Sequence, residues 1–217
     1  MAEQAAAATV VPLRDGATGL EVLMLRRSRR GSFGGMWVFP GGRVDPGDGD
    51  VDEDGEDAVA RRAAAREALE EAALVVDPAD LIPFSHWTPP PEAPRRYLTW
   101  FFLAPADTAA EIVVDGGEIH DHDWVSPAEM MRRRDAGEVE LAPPTWMTLW
   151  RLARAADVES ALEEARAREP QRFLTRVAAG MMLWAGDAGF ESGDVALPGR
   201  RRRLIVDSAG WRYEGPD

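Results

Sequence analysis

Cysteine is absent from this 217-residue chain, which excludes disulfides, thiolate metal sites and thiol nucleophiles together. Lysine is absent as well. All 25 basic residues are arginine, a codon signature of a GC-rich bacterial genome that bears on no activity. Long apolar runs are missing: YLTWFFLA at Tyr97–Ala104 is the longest candidate, far short of the roughly 20 residues a membrane-spanning helix needs. The opening MAEQAAAATVV has no basic segment ahead of an apolar one, so no secretory signal is expected. These absences point to the cytoplasm and away from a membrane. Positive charge is in deficit, 38 acidic residues standing against 25 basic for a net charge of −13. Such a surface repels a nucleic-acid backbone, so a polymer of that kind is not an expected partner. A small anionic ligand remains suitable if metal ions neutralise it locally.

What is present, 45% hydrophobic and 29% charged residues, suits one globular domain with an extension. The pattern predicts buried strands at Leu20–Arg26 and Met36–Phe39, the second ending at Pro40-Gly41-Gly42. An Asp- and Gly-rich loop, Asp45–Asp57, gives way to Glu56–Ala73, whose Ala, Arg and Glu content is strongly helical. Strand-like runs return at Leu74–Val76, Leu81–Trp87, Tyr97–Leu103 and Glu111–Val114. Ser126-Pro127-Ala128-Glu129 is a capping box with proline at the first helical position, so a helix should follow the Trp124-Val125 strand. Further helices are expected at Thr145–Ala156 and Val158–Arg168. A hairpin is expected from Arg203–Val206 and Trp211–Tyr213 about the turn Asp207–Gly210. The expected fold class is α/β: a mixed β-sheet sandwiched between helices over residues 5–145. Residues 146–217 form a helical and hairpin extension packed on the core or on a partner subunit.

The chemistry concentrates in Arg66-Glu67-Ala68-Leu69-Glu70-Glu71. On a helix, Glu67, Glu70 and Glu71 stand at i, i+3 and i+4 and share one face. Three crowded carboxylates repel one another unless a cation sits among them, and hard, oxygen-seeking Mg²⁺ or Mn²⁺ fits. A solvated acidic face is the plainer alternative, and a bare Glu-Glu pair would favour it. The wider context reverses that preference.

Phe39-Pro40-Gly41-Gly42, the Arg66-Glu67 pair, apolar Ala68, the Glu70-Glu71 pair and Leu74 together resemble the box of the Nudix hydrolase family. That box runs Gly, five residues, Glu, seven residues, Arg-Glu, apolar, any, Glu-Glu, any, Gly, apolar. The resemblance implies a Nudix fold and a hydrolase that cuts diphosphate bonds. It implies that Glu67, Glu70 and Glu71 hold Mg²⁺ or Mn²⁺, that the Gly42 carbonyl adds a ligand, and that Arg66 braces the glutamates. A general base is implied on a late loop, where Glu118 is the candidate, with Glu71 as the alternative. The stretch from Gly42 to Arg66 is about ten residues longer than the box. Counted back from Arg66, the first box glutamate falls on Ala58, with Glu56 and Asp57 placed to take over its role. Ala73 replaces the closing glycine, and a positive φ there costs about 1 kcal/mol.

LMLRRSRRGSFGGMWVFPGGRVDPGD and HWTPPPEAPRRYLTWFFLA are similar to the coenzyme A diphosphatase branch related to peroxisomal enzymes. That likeness implies a small nucleotide substrate, coenzyme A derivatives first and ADP-ribose or NADH-like compounds next. Trp87, Tyr97 and Trp100 are candidates to line the nucleotide pocket, with Arg95 and Arg96 offering phosphate contacts. Dimers are common in the family, so a homodimer is a further expectation.

Other features carry less. Asp50–Gly55 matches the first half of an EF-hand, but the twelfth position is Arg61, so a solvated acidic loop is expected. His120 and His122 alternate at strand spacing without a third ligand, which suits a polar loop entering the Trp124 strand. Two competing functions are a catalytically weak, ligand-sensing Nudix-fold protein and an isoprenyl diphosphate isomerase. The first would have lost box glutamates, which this chain keeps; the second uses a cysteine, which this chain lacks.

Overall fold

The computed structural model describes residues 4–29, 33–107, 111–207 and 210–216. Its first element is a strand that the composition did not announce: β1 (Gln4–Gly16), opening with four consecutive alanines. Alanine is a weak strand former. Here the extended backbone is held by neighbours on both edges. β1 pairs in parallel with β6 (Arg96–Pro105), from Gln4↔Arg96 to Leu13↔Pro105. On its other side it pairs antiparallel with β2 (Gly19–Arg27) and with the short β4 (Gly41–Arg43). β2 in turn carries β3 (Trp37–Val38) and β7 (Ile119–Val125), and β6 carries β5 (Ile82–Thr88).

Helices cover both faces. On one side α2 (Glu56–Ala72), preceded by the single turn α1 (Val51–Asp54), packs on β1, β2 and β6. Its buried face is almost all alanine, at 60, 63, 64, 68 and 72, so the helix lies close to the sheet. On the other side α3 (Pro127–Asp135), α4 (Pro143–Leu152) and α5 (Val158–Arg166) bury Met130, Trp146, Leu149 and Leu162 against Leu13, Val22 and Met24. Alternate residues of β2 therefore serve two cores, as the period of a strand requires.

Two expected strands are irregular instead. α2 ends at Ala73, which adopts the left-handed conformation at φ 52°, and the Leu74 N–H donates to the Ala68 carbonyl. That turn drops Leu74 into the core and leaves 74–76 with no partner strand among the described residues. The 111–114 segment is tied by the Val113 N–H to the Ala72 carbonyl, on the helix end rather than in the sheet. Conversely, His120–Asp123 is no loop: it belongs to β7, with His122 opposite Leu25.

Beyond α5 the chain rejoins the sheet. β8 (Gln171–Ala178) lies parallel to β5, and β9 (Met181–Trp184), β10 (Arg203–Asp207) and β11 (Gly210–Glu214) follow antiparallel, giving eleven strands among the described residues. β10 and β11 form the expected hairpin; turn residues 208 and 209 lie outside the described residues. No described helix is long and apolar enough to cross a membrane.

Candidate active site

The second half of α2 runs over β4, and two glycines make that contact. The Gly41 N–H donates to Glu71 Oε2 at 3.0 Å. A Cβ added to Gly42 would lie 2.2 Å from Glu67 Oε1, so only glycine lets that carboxylate rest on the strand. Glu67 and Glu71 thus sit one helical turn apart along the Gly41-Gly42 backbone, with Glu70 more exposed beside them.

Arg66 organises this face. Its Nε donates to Asp48 Oδ1 and its Nη2 to Asp48 Oδ2, both at 2.9 Å. Nη1 donates to Glu67 Oε1 at 2.9 Å and Glu70 Oε2 at 3.0 Å, while Nη2 also donates to the Arg43 carbonyl at 2.9 Å. The five N–H donors of the guanidinium are all engaged. Asp48 is itself buried and accepts from the Asp45 N–H at 2.8 Å. Burial pushes its carboxyl up, but the Arg66 hydrogen bonds and charge outweigh this and hold it below the usual carboxylate range.

Asp48 corrects the placing of the first box acid. Counted forward from Gly42, the acidic place of the box is position 48, so the insertion follows it rather than precedes it. Glu56 and Asp57 are engaged elsewhere. Glu56 accepts from Trp100 Nε1 at 3.0 Å, and Asp57 pairs with Arg61 at 2.6 Å. The acidic insertion is capped by Asp50, which accepts from the Asp52 N–H, and pinned by an Asp54–Arg62 ion pair at 2.6 Å.

Opposite α2, Arg27 at the end of β2 places Nη1 3.5 Å from Glu71 Oε1, and its Nη2 contacts Glu118 Oε1. Sequence reasoning missed Arg27. The signal was strand parity, since residues 23, 25 and 27 share the face turned to α2. Glu118, the expected base, is thereby brought to the same guanidinium as Glu71. Burial raises the Glu71 carboxyl to about 7, against the Gly41 N–H and the Arg27 charge, which pull it down. Glu67 is raised too, by burial first, with Arg66 opposing.

The expected nucleotide-lining residues are not gathered here. Trp87 is core, stacked on Phe173 at 3.9 Å and 7°. Trp100 is buried, and its Nε1 donates to Glu56; on β6 it lies opposite Ala8, whose other partner is Gly42. A large aromatic on a half-apolar strand looks the same in sequence whether it faces core or pocket. Arg96 donates to the Pro89 carbonyl at 3.3 Å, Tyr97 is half-buried on β6, two strands from β4, and Arg95 is exposed.

Among the described residues no three His, Asp or Glu side chains converge at metal-binding spacing, because Glu67 and Glu70 are turned onto Arg66. The donor set nevertheless fits Mg²⁺ or Mn²⁺. It is all oxygen, lies on one helix face, and includes a carboxyl so buried that ionisation wants a nearby cation. A cavity of about 730 Å³ opens beside Arg27, lined also by Arg26, Arg29, Gly116, Gly117 and His120.

The NUDIX domain pattern matches residues 3–145 of this sequence. The chain belongs to the NUDIX family. It is 28% identical over 176 residues to a Caenorhabditis elegans protein named "Putative nudix hydrolase 7", a match spanning 64% of this chain and 58% of that one. This chain thus spans less than two thirds of that relative's length. A crystal structure of a NUDIX hydrolase from Alicyclobacillus acidocaldarius is 26% identical, with TM-score 0.69, covering 75% of this chain and 97% of that one. The NUDIX domain of Shewanella oneidensis NrtR, solved with ADP ribose, shares the fold at 19% identity and TM-score 0.52, covering 76% and 90%. In this NUDIX chain the box is split by its insertion, yet Asp48, Glu67 and Glu70 still meet at Arg66.

Proposed function

We propose that this NUDIX chain is a metal-dependent hydrolase that cleaves the diphosphate bond of a nucleoside diphosphate linked to another moiety. Coenzyme A derivatives come first as substrates, ADP-ribose and NADH-like compounds next. The observation that carries the reading is the carboxylate face of α2, held by Arg66 and Gly41 and faced by Arg27. Similarity to proteins named as Nudix hydrolases supports it.

In this reading Glu67, Glu70 and Glu71 hold Mg²⁺ or Mn²⁺, with the Gly42 carbonyl beside them. Bound metal supplies neutralisation of the diphosphate oxygens and acidification of water. Arg66 fixes the directions of Glu67 and Glu70, since its other donors are locked on Asp48 and the Arg43 carbonyl. Arg27 presents positive charge to a phosphate lying against Glu71. Glu118 receives the proton of the attacking water, its carboxylate oriented by Arg27. A homodimer belongs to the same reading and rests on the resemblance, and a cytoplasmic location rests on the absence of cysteine.

The test is turnover of a panel of nucleotide diphosphates with Mg²⁺ or Mn²⁺, products identified by mass. Phosphate-ester products split at the diphosphate are expected. Tight nucleotide binding with no turnover under either metal would replace the enzyme by the catalytically weak sensor, which nothing in the site favours.

A further inference from the structure

The cavity at the end of β2 is basic in a chain whose net charge is −13. Within four positions Arg26, Arg27 and Arg29 all line it, and among its described lining residues the carboxylate is Asp121 alone. Arg27 is engaged by Glu71 and Glu118, although its Nε is buried with no acceptor. Arg26 and Arg29 are exposed and, among the described residues, hold no ion pair or side-chain hydrogen bond. Several other arginines are matched by carboxylates, among them Arg66 with Asp48, Arg133 with Asp123 and Glu129, and Arg203 with Asp187. Unmatched guanidiniums gathered at one concavity repel one another, and an anion between them turns that repulsion into attraction.

The scissile diphosphate does not account for this charge. In the hydrolase reading, on which this inference rests, the diphosphate lies at the α2 carboxylates and is met there by metal and by Arg27. Arg26 and Arg29 are left over. Their planar forks suit a phosphate group, and about 730 Å³ is within the range of small-molecule sites. We infer that this cavity is a second anion subsite, which takes a phosphate that the substrate carries beyond its diphosphate, on a ribose for example. Arg26 and Arg29 are its specificity-determining residues. The protein therefore selects nucleotides with an additional phosphate over the same nucleotides without it.

Calorimetric titration of the metal-free protein with adenosine 3′,5′-bisphosphate and with AMP tests this without any turnover. Wild type should bind the bisphosphate about tenfold or more tighter, the size expected for a charge-assisted pair. The Arg26→Gln/Arg29→Gln double variant should bring the two nucleotides within about twofold. An Arg26→Lys/Arg29→Lys variant, which keeps the charge, should retain part of the preference. With Mg²⁺ present, the ratio of kcat/KM for coenzyme A over its dephospho form should fall in step. Equal affinities in wild type, or a preference that survives the double Gln variant, overturns the subsite. The two readings fail separately. Preference without any hydrolysis removes the enzyme and keeps the subsite, whereas Glu71-dependent hydrolysis without preference removes the subsite alone.

Discussion

At Glu71 burial and function pull the carboxyl in opposite directions. Its value is raised to about 7 in the folded chain from an ordinary 4.5. A raised value means that the folded, metal-free protein prefers the neutral acid. The resulting stability is full below 4.5 and is lost as pH rises through about 7, a swing of about 3 kcal/mol. Melts in chelator should therefore fall between pH 5 and pH 8, and Glu71→Gln should flatten that fall. An unchanged pH profile in the variant would place the titration elsewhere. For activity, each of Glu67→Gln, Glu70→Gln and Glu71→Gln should cut Mg²⁺-dependent turnover by roughly 10² or more, because metals supply several kcal/mol of charge stabilisation. A merely solvated acidic face would leave wild-type rates. Asp48→Ala tests the anchor of Arg66: with that partner's side chain 26% exposed, about 2 kcal/mol of stability should go, below the loss at a fully buried pair. Turnover should drop with it, since Arg66 would no longer fix Glu67 and Glu70. Stability lost with turnover intact would make Asp48 purely structural.

At the scale of elements, α2 shows how local rules and tertiary rules divide the work. Its helical composition and its shared carboxylate face are readable because both depend on neighbours three and four residues away. Its C-terminus is readable too: the box asks for glycine where Ala73 stands, and Ala73 does take φ 52°. Ala73 is exposed, so a replacement loses no packing. Ala73→Gly should raise stability by roughly 0.5–1 kcal/mol, the left-handed strain less the added freedom of the unfolded chain. A thermal melt checks the sign, and a fall would show that αL strain at this position is already relieved. The strands after the helix were misread for the complementary reason. An apolar run of three or four residues becomes a strand only if another strand lies beside it, and at 74–76 and 111–114 none does among the described residues.

Across the whole molecule the segment beyond α5 is bound to the core through aromatic stacking and braced within itself by one buried ion pair. Phe173 and Trp184 close around Trp87, with Trp184 edge-on to Trp87 at 5.7 Å and to Phe173 at 5.0 Å. Asp187 and Arg203 pair with side chains 0% and 4% exposed, and Asp187 also accepts from the Gly189 and Arg202 N–H groups. Removing one member strands a buried charge. Asp187→Ala should therefore destabilise the chain by about 3–5 kcal/mol. Because this hairpin continues the same sheet, the loss should appear in one cooperative transition rather than in a separate early melt of the tail. Two resolved transitions in calorimetry would show that the extension folds independently of the residues before it.

The acidic face, the glycines that open the box, the family resemblance and most helices could be read in the sequence because each is a matter of residue type at short, fixed spacing. Geometry along one helix needs no partner to be known. β1 was invisible because its alanines are extended only by the strands on either side. Asp48 was overlooked because an insertion breaks the count, and only the fold brings position 48 back to Arg66 across eighteen residues. At Trp87 and Trp100 hydrophobicity fixes that a side chain is buried without fixing against what. Arg27 had the right parity in plain view, yet its meaning depended on which helix covers that face of β2. Chemistry with a local address is written in the chain; chemistry assembled from distant strands exists only once burial and pairing have chosen the neighbours.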